Sequence, residues 1–417
     1  MNLRFLVHIV ITAFLAAGCA EVCHAEGNQE LNANQELNAN QEFNTNQEFN
    51  ANQEFNTKHK FKRFHELRNR AFLRKWDFLE LRREGRLFRH GGEPTLRTTP
   101  PDNEGNMYLL PSDQVEKPLP DLATLPCWAN DDVQGIAFRT QWSRVEPSEN
   151  NYFWDVLDQC ASLAKANGKT FSILVTAGVT TPQWVFDAGA TRFDVTEQNG
   201  TPPSPMPVPW DKVFQSKWSS FVSALRARYG DNSRLVYVVM GGFGRRAESF
   251  FVTTEEDQAA MDALAQKDGF TDGLAAWLEG TKWVIEKYAT TFEKVPVILD
   301  MGAPYPTDAG QATLQEACDF GALTAPGHFA VKSDGLAPGG PPTKSMGVTE
   351  VSLLSPTSLV GYQMTLPQDN PPDLQTSLNR GIGFGAHFIE IYSADCDDPA
   401  SAPVLQSAAI QWGIATN

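Results

Sequence analysis

The sequence predicts a single (α/β)8 barrel over residues 91–417, preceded by a disordered repeat segment and a basic amphipathic helix. Three observations lead there. Short apolar runs alternate with longer amphipathic stretches up to the C-terminus, the pattern of parallel strands joined by crossover helices. Carboxylates, arginines and aromatic residues gather just after those runs, where a barrel carries its chemistry. The chain has 417 residues, enough for one large barrel, and a hydrophobic fraction of 41% with 26 phenylalanines supplies a core.

The strands are read from β-branched and aromatic runs. The first, Met107–Leu110, carries the weakest signal; Gly135–Trp142 and Thr170–Thr176 follow, with the helical pattern Val156–Asn167 between them. Lys212–Tyr229 predicts the next helix and Leu235–Met240 the fourth strand. Thr253-Thr254-Glu255-Glu256 has the form of a helix N-cap with early acids, and Gly273–Tyr288 continues the helical layer. Val295–Asp300, His328–Lys332 and Leu359–Met364 read as strands five to seven, Ser377–Gly381 as part of a helix, and His387–Tyr392 as the eighth strand.

Three segments precede the barrel. Residues 1–25 read as an export signal, with Arg4 as the positive flank, Phe5 to Ala17 as an apolar run too short to span a bilayer, and a cleavage site after Ala25. "LAAGC", ending at Cys19, is also similar to a bacterial lipoprotein box, so lipid anchoring at Cys19 stands beside simple cleavage. Both readings make the protein periplasmic, cell-surface or secreted. From Asn28 to Thr57 a polar hexapeptide of the form NQE(L/F)N(A/T) repeats five times within the segment 26–57. Its period fits neither a helix face nor a heptad, and its composition buries too little apolar surface to offset ordering, so it reads as a tether; a short β-solenoid is the alternative. Lys58–His90 carries twelve Lys or Arg against four Asp or Glu, with Phe61, Phe64, Leu67, Ala71, Trp76 and Leu79 at roughly helical spacing. Such a helix suits a peripheral membrane or acidic-partner contact, or serves as a solvated spacer.

Residues 91–417 hold 21 Lys or Arg against 39 Asp or Glu, an excess of negative charge that excludes a nucleic-acid partner. The cysteines left after the signal, Cys127, Cys160, Cys318 and Cys396, are too scattered for paired zinc ligands and are read as buried thiols or as one or two disulfides. No metal is expected among the seven histidines, which show no ligand spacing, and no P-loop occurs. The stretch Gly242-Phe243-Gly244-Arg245-Arg246-Ala247 spells G-x-G-x-x-A. A dinucleotide turn opens directly into a helix, whereas apolar Ser249-Phe250-Phe251-Val252 intervenes here. No cofactor is therefore expected.

The strand exits supply the candidate site. Arg139, Trp142, Trp184, Trp210, Arg245, Arg246, Asp300, Asp334, Gln363, Tyr392 and Asp395 are candidate substrate-binding residues, the tryptophans because an indole stacks on the apolar C–H face of a sugar. Glu248 and Glu390 are the candidate catalytic carboxyl groups.

The stretch RTQWSRVEPSENNYFWDVLDQCASLAKANGKTFSILVTAG, with TPQWV beyond it, resembles the strand-two region of clan A glycoside hydrolases, nearest to the family 42 β-galactosidase-like proteins. The resemblance runs from Arg139 to Val185; elsewhere only the order of elements agrees. It implies a TIM barrel that hydrolyses O-glycosides of a carbohydrate substrate, with an acid/base glutamate after strand four and a nucleophilic glutamate at the end of strand seven. On that basis Arg139 orients the nucleophile, Glu146 is structural beside Pro147, and Glu248 falls in the acid/base region. Two departures stand out. Several Gly and Arg residues separate the fourth strand from Glu248, and strand seven offers Gln363, a neutral amide, where a carboxylate is expected. Either Glu390 on the next strand serves instead, or the barrel binds carbohydrate with its catalysis impaired.

Overall fold

A computed structural model describes residues 101–110, 121–196, 203–246, 252 and 254–414. The segment expected to be an export signal, the hexapeptide repeats, the basic segment and Glu248 lie outside the described residues. Eight parallel strands close into a barrel: β1 (Gly105–Leu110), β2 (Gly135–Gln141), β3 (Thr170–Thr176), β6 (Leu235–Val239), β7 (Val297–Met301), β8 (Phe329–Leu336), β9 (Gly361–Met364) and β10 (Phe388–Tyr392). Strands β4 (Arg192–Val195) and β5 (Ser204–Pro207) form a separate antiparallel pair after β3. Closure comes from β1, which pairs with β2 (Met107 opposite Gly135) and with β10 (Gly105 opposite Phe388). The weak first strand is thus the one that seals the ring.

The crossovers are helical. Helix α1 (Asp155–Ala166) follows β2, α2 (Lys212–Tyr229) follows the β4–β5 pair, and α3 (Glu255–Lys267) with α4 (Gly273–Thr291) follows β6. Helices α5 (Asp308–Thr324), α6 (Met346–Leu354), α7 (Pro371–Gly383) and α8 (Ala402–Gln411) follow β7 to β10 in turn. Most starts are fixed by a side chain that accepts an otherwise orphaned N–H. Asp211 caps α2, Thr254 caps α3 as its Thr-Glu-Glu sequence predicts, Asp272 caps α4, Thr307 caps α5, and Asn370 caps α7 ahead of two prolines.

Trp218, Trp277, Tyr288 and Phe221 from α2 and α4 are fully buried between the helices and the strands. They explain the glycine run after β6. The Trp218 indole N–H donates to Gly241 O at 3.0 Å, Trp277 donates to Phe243 O at 3.1 Å, and Gly241 N donates to the Tyr288 hydroxyl at 3.2 Å. Gly242 has φ +98° with its Cα against the Trp218 ring, where a Cβ would collide. The glycines therefore serve an indole-clamped strand exit, and the chain continues as bends through Arg246 with no helix opening there.

Cys127, Cys160, Cys318 and Cys396 are free and buried, which removes the disulfide alternative. Among the described residues no helix is long and apolar enough to cross a membrane.

Candidate active site

Strand alternation and register bring the inward-facing polar groups together. Residues two apart on a strand share a face, so Lys332 and Asp334 of β8 point the same way. Lys332 pairs in register with Asp300 of β7, and Gln363 of β9 with Glu390 of β10. Arg139 arrives from β2 and Tyr237 from β6.

Lys332 is the hub of this cluster. Its Nζ lies 2.6 Å from Asp300 Oδ2, 2.6 Å from Asp334 Oδ1 and 3.5 Å from Glu390 Oε2, and it donates to Gln363 Oε1 at 3.2 Å. Glu390 Oε2 also stands 3.5 Å from Arg139 Nη2, and Glu390 Oε1 accepts the Tyr237 hydroxyl at 2.9 Å. The Tyr237 ring stacks on Phe388, with centroids 4.4 Å apart, which fixes that donor.

The electrostatics follow from burial and pairing. Burial alone pulls the Lys332 pKa down, but the carboxylates of Asp300, Asp334 and Glu390 outweigh it and hold the ammonium charged above its ordinary range. Burial likewise pushes Asp334 up, and there the Lys332 ammonium and the Arg139 guanidinium outweigh it, so its carboxyl sits below the usual value. Solvent access differs sharply. The Asp334 side chain is 18% exposed, while those of Glu390 and Asp300 are at 2% and 0%.

A local irregularity falls at Asp334. In the pairing of β8 with β9, Ser333 stands opposite Tyr362 and Leu336 opposite Met364. Asp334 and Gly335 together therefore face the single residue Gln363, a β-bulge of the kind that re-aims a side chain beside a functional site.

The other expected residues fall elsewhere. Trp142 is wholly buried, donates its indole N–H to Glu146 Oε2 at 2.7 Å and packs edge-on against Trp184 and Trp218. No face of it is left for a sugar ring, so its role is core packing. Trp184 is partly buried and donates to the Glu146 backbone carbonyl at 3.0 Å, and Glu146 ties this corner together as a structural residue. Trp210 is buried, with its indole N–H committed to Asp268 (2.8 Å) and its ring against Phe270 beside the α3–α4 turn. Arg245 and Arg246 lie on the β6 exit, where the Arg245 carbonyl accepts Val179 N–H from the β3 exit at 2.9 Å. Tyr392 ends β10, Asp395 lies just past it, and both bind the β9 exit: the Tyr392 hydroxyl donates to Thr365 O at 3.4 Å, and Gln368 N–H donates to Asp395 Oδ1 at 2.8 Å. Burial raises the Asp395 pKa to about 6, with Asp398 adding to it and the Gln368 N–H opposing.

The structure thus brings together Arg139, Asp300, Asp334, Gln363 and Glu390, and adds Lys332 and Tyr237, which the sequence reading omitted. The available signal for Lys332 was a lone lysine inside an apolar run with an aspartate two places on, Val331-Lys332-Ser333-Asp334. Among the described residues no group of three or more His, Cys, Asp or Glu is disposed to hold a metal ion.

An arginine from β2 directed at a carboxylate of the barrel centre is the feature that the strand-two resemblance leads one to seek, and comparison with known families bears on the same segment. Residues 135–259 match the glycoside hydrolase family 42 model, described as beta-galactosidase. The match to family 42 begins at the first residue of β2 and ends inside α3, so it contains Arg139, the indole-clamped β6 exit and Glu248. No curated protein matches the chain. Among solved structures, the catalytic domain of a beta-amylase from Paenibacillus polymyxa is 13% identical, with a TM-score of 0.49, covering 75% of this chain and 99% of that one. A cold-adapted beta-galactosidase from Rahnella sp. R3 is 11% identical, with a TM-score of 0.48, and the alignment covers 78% of this chain and 58% of the Rahnella enzyme.

Proposed function

We propose that the chain is an O-glycoside hydrolase of the two-carboxyl type, with Glu248 as acid/base and its ionised partner drawn from the carboxylates that Lys332 and Arg139 hold in the barrel. In that chemistry a protonated carboxyl gives its proton to the departing oxygen, while a second, ionised one steadies or attacks the positively charged anomeric carbon. The observation that carries the reading is that Arg139, inside the segment that matches family 42, approaches Glu390 of β10 at 3.5 Å. Two cations flank the carboxylates of the cluster, which suits a partner kept in its charged form.

One observation favours a second reading. Gln363 occupies the strand-seven position where the resemblance calls for a carboxylate, and it is occupied in accepting from Lys332. A barrel that binds carbohydrate without cleaving it would carry such a substitution. The test is hydrolysis of a panel of aryl glycosides, β-galactosides first, alongside calorimetric titration of the same sugars. The hydrolase reading expects turnover that falls by about 10²–10⁴-fold in Glu248→Gln, the usual worth of a general acid. Sugar binding with no turnover in the wild-type chain would establish the binding reading instead. Export belongs to the same proposal, since the substrate would be met outside the cytoplasm; fractionation of cells carrying the full chain and a Cys19→Ser variant tests it.

A further inference from the structure

The bulge in β8 and the amide on β9 belong together. Gln363 sits where strand seven would present its carboxylate, and the extra residue in β8 sets Asp334 directly across from it. Both side chains end on the same Lys332 ammonium, Asp334 at 2.6 Å and Gln363 at 3.2 Å. Of the three carboxylates in the cluster, Asp334 alone has appreciable access to solvent. Glu390, by contrast, is closed in by Tyr237, Arg139 and Lys332.

We propose that Asp334 is the ionised carboxylate that meets the anomeric centre, supplied from β8 in place of the missing carboxylate on β9, with Gln363 and Lys332 holding it in position. This rests on the hydrolase reading above and names its second carboxyl group. Glu390 and Asp300 then act through Lys332 as buried counter-charges that keep the ammonium in place. The low carboxyl pKa at Asp334 agrees with a group that stays ionised while it works.

The experiment uses the full chain with 2,4-dinitrophenyl glycosides, whose leaving group departs without protonation, so the need for an acid is bypassed and the need for the ionised partner is isolated. Asp334→Ala is expected to lower kcat by at least about a hundredfold on these substrates, as loss of a preorganised electrostatic group does. Sodium azide is expected to restore turnover in Asp334→Ala by entering the vacated space and forming the glycosyl azide as dinitrophenolate leaves. Asp334→Asn preserves shape and packing, so an equal loss in Asp334→Asn with an unchanged melting temperature assigns the effect to charge. Turnover in Asp334→Ala within a few fold of wild type would overturn the assignment while leaving the hydrolase reading intact. A wild-type chain that binds sugar and cleaves none of the panel would overturn the hydrolase reading, and this assignment with it.

Discussion

Replacing Lys332 by methionine removes the one cation that touches Asp300, Asp334, Gln363 and Glu390 at once. At the effective dielectric of about 20 that suits buried sites, each 2.6 Å contact is worth roughly 6 kcal/mol of attraction. Most of that offsets the cost of taking the ions out of water, which is several kcal/mol for each. What the substitution exposes is the uncompensated remainder, about 3–5 kcal/mol for a buried charge left without its partner. Arg139 still reaches Glu390, which places the expectation toward the lower end. At roughly 1.5 °C per kcal/mol for a barrel of this size, the melting temperature should fall by about 4–7 °C near pH 7.

The pH dependence gives a second handle on the same variant. In the wild type the Asp334 carboxyl is depressed, so its stabilising contribution is present above the ordinary aspartate range and is lost as pH falls through the depressed value. Without Lys332 the burial that pushes the Asp334 carboxyl up loses its chief opponent, and the folded variant gains relative stability as pH falls. The melting-temperature gap between wild type and Lys332→Met should therefore narrow between pH 7.5 and pH 5, read by circular dichroism or calorimetry. A loss under about 1 kcal/mol, or a gap that widens on acidification, would refute the account of Lys332 as the hub.

Two further outcomes follow from other parts of the molecule. Burial raises the Asp395 pKa to about 6, so folding favours its protonated form, and stability should fall by roughly 3 kcal/mol as pH rises from about 4 to about 7. Asp395→Asn keeps an acceptor for Gln368 N–H and should remove that slope from the melting-temperature profile. Gly242→Ala places a Cβ against the Trp218 indole at a positive φ and should cost at least about 1–3 kcal/mol by thermal denaturation; full wild-type stability would show that the β6 exit is not held as described.

Much of the fold was legible because its strands are short runs of β-branched and aromatic residues. Thr170–Thr176 and Lys212–Tyr229 have the bounds read from sequence, and the α3 cap falls on Thr254. The β4–β5 pair was not legible: Ser204-Pro205-Met206-Pro207 carries two prolines, which read as a break and are tolerated here because the strand belongs to an isolated two-stranded pair. Within the site, Arg139, Asp300, Asp334, Gln363 and Glu390 stood out as polar residues at strand ends. Lys332 did not, since a lone lysine in an apolar run gains meaning only when barrel closure brings three carboxylates to it from β7, β8 and β10. The tryptophans misled for a related reason. The ring that suits a sugar face suits a helix–strand interface equally well, and at Trp142 and Trp210 a carboxylate, Glu146 or Asp268, had already claimed the indole N–H.

The indole clamps on Gly241 and Phe243 carry a consequence for how activity responds to change. The donors sit on α2 and α4, in the outer layer, yet they fix the point from which the chain sets out toward Glu248. Repacking that layer displaces the origin of the segment proposed to carry the acid/base without touching a polar residue of the barrel interior. On the hydrolase reading, substitutions that repack the buried faces of α2 and α4 should therefore change reaction rate as well as stability.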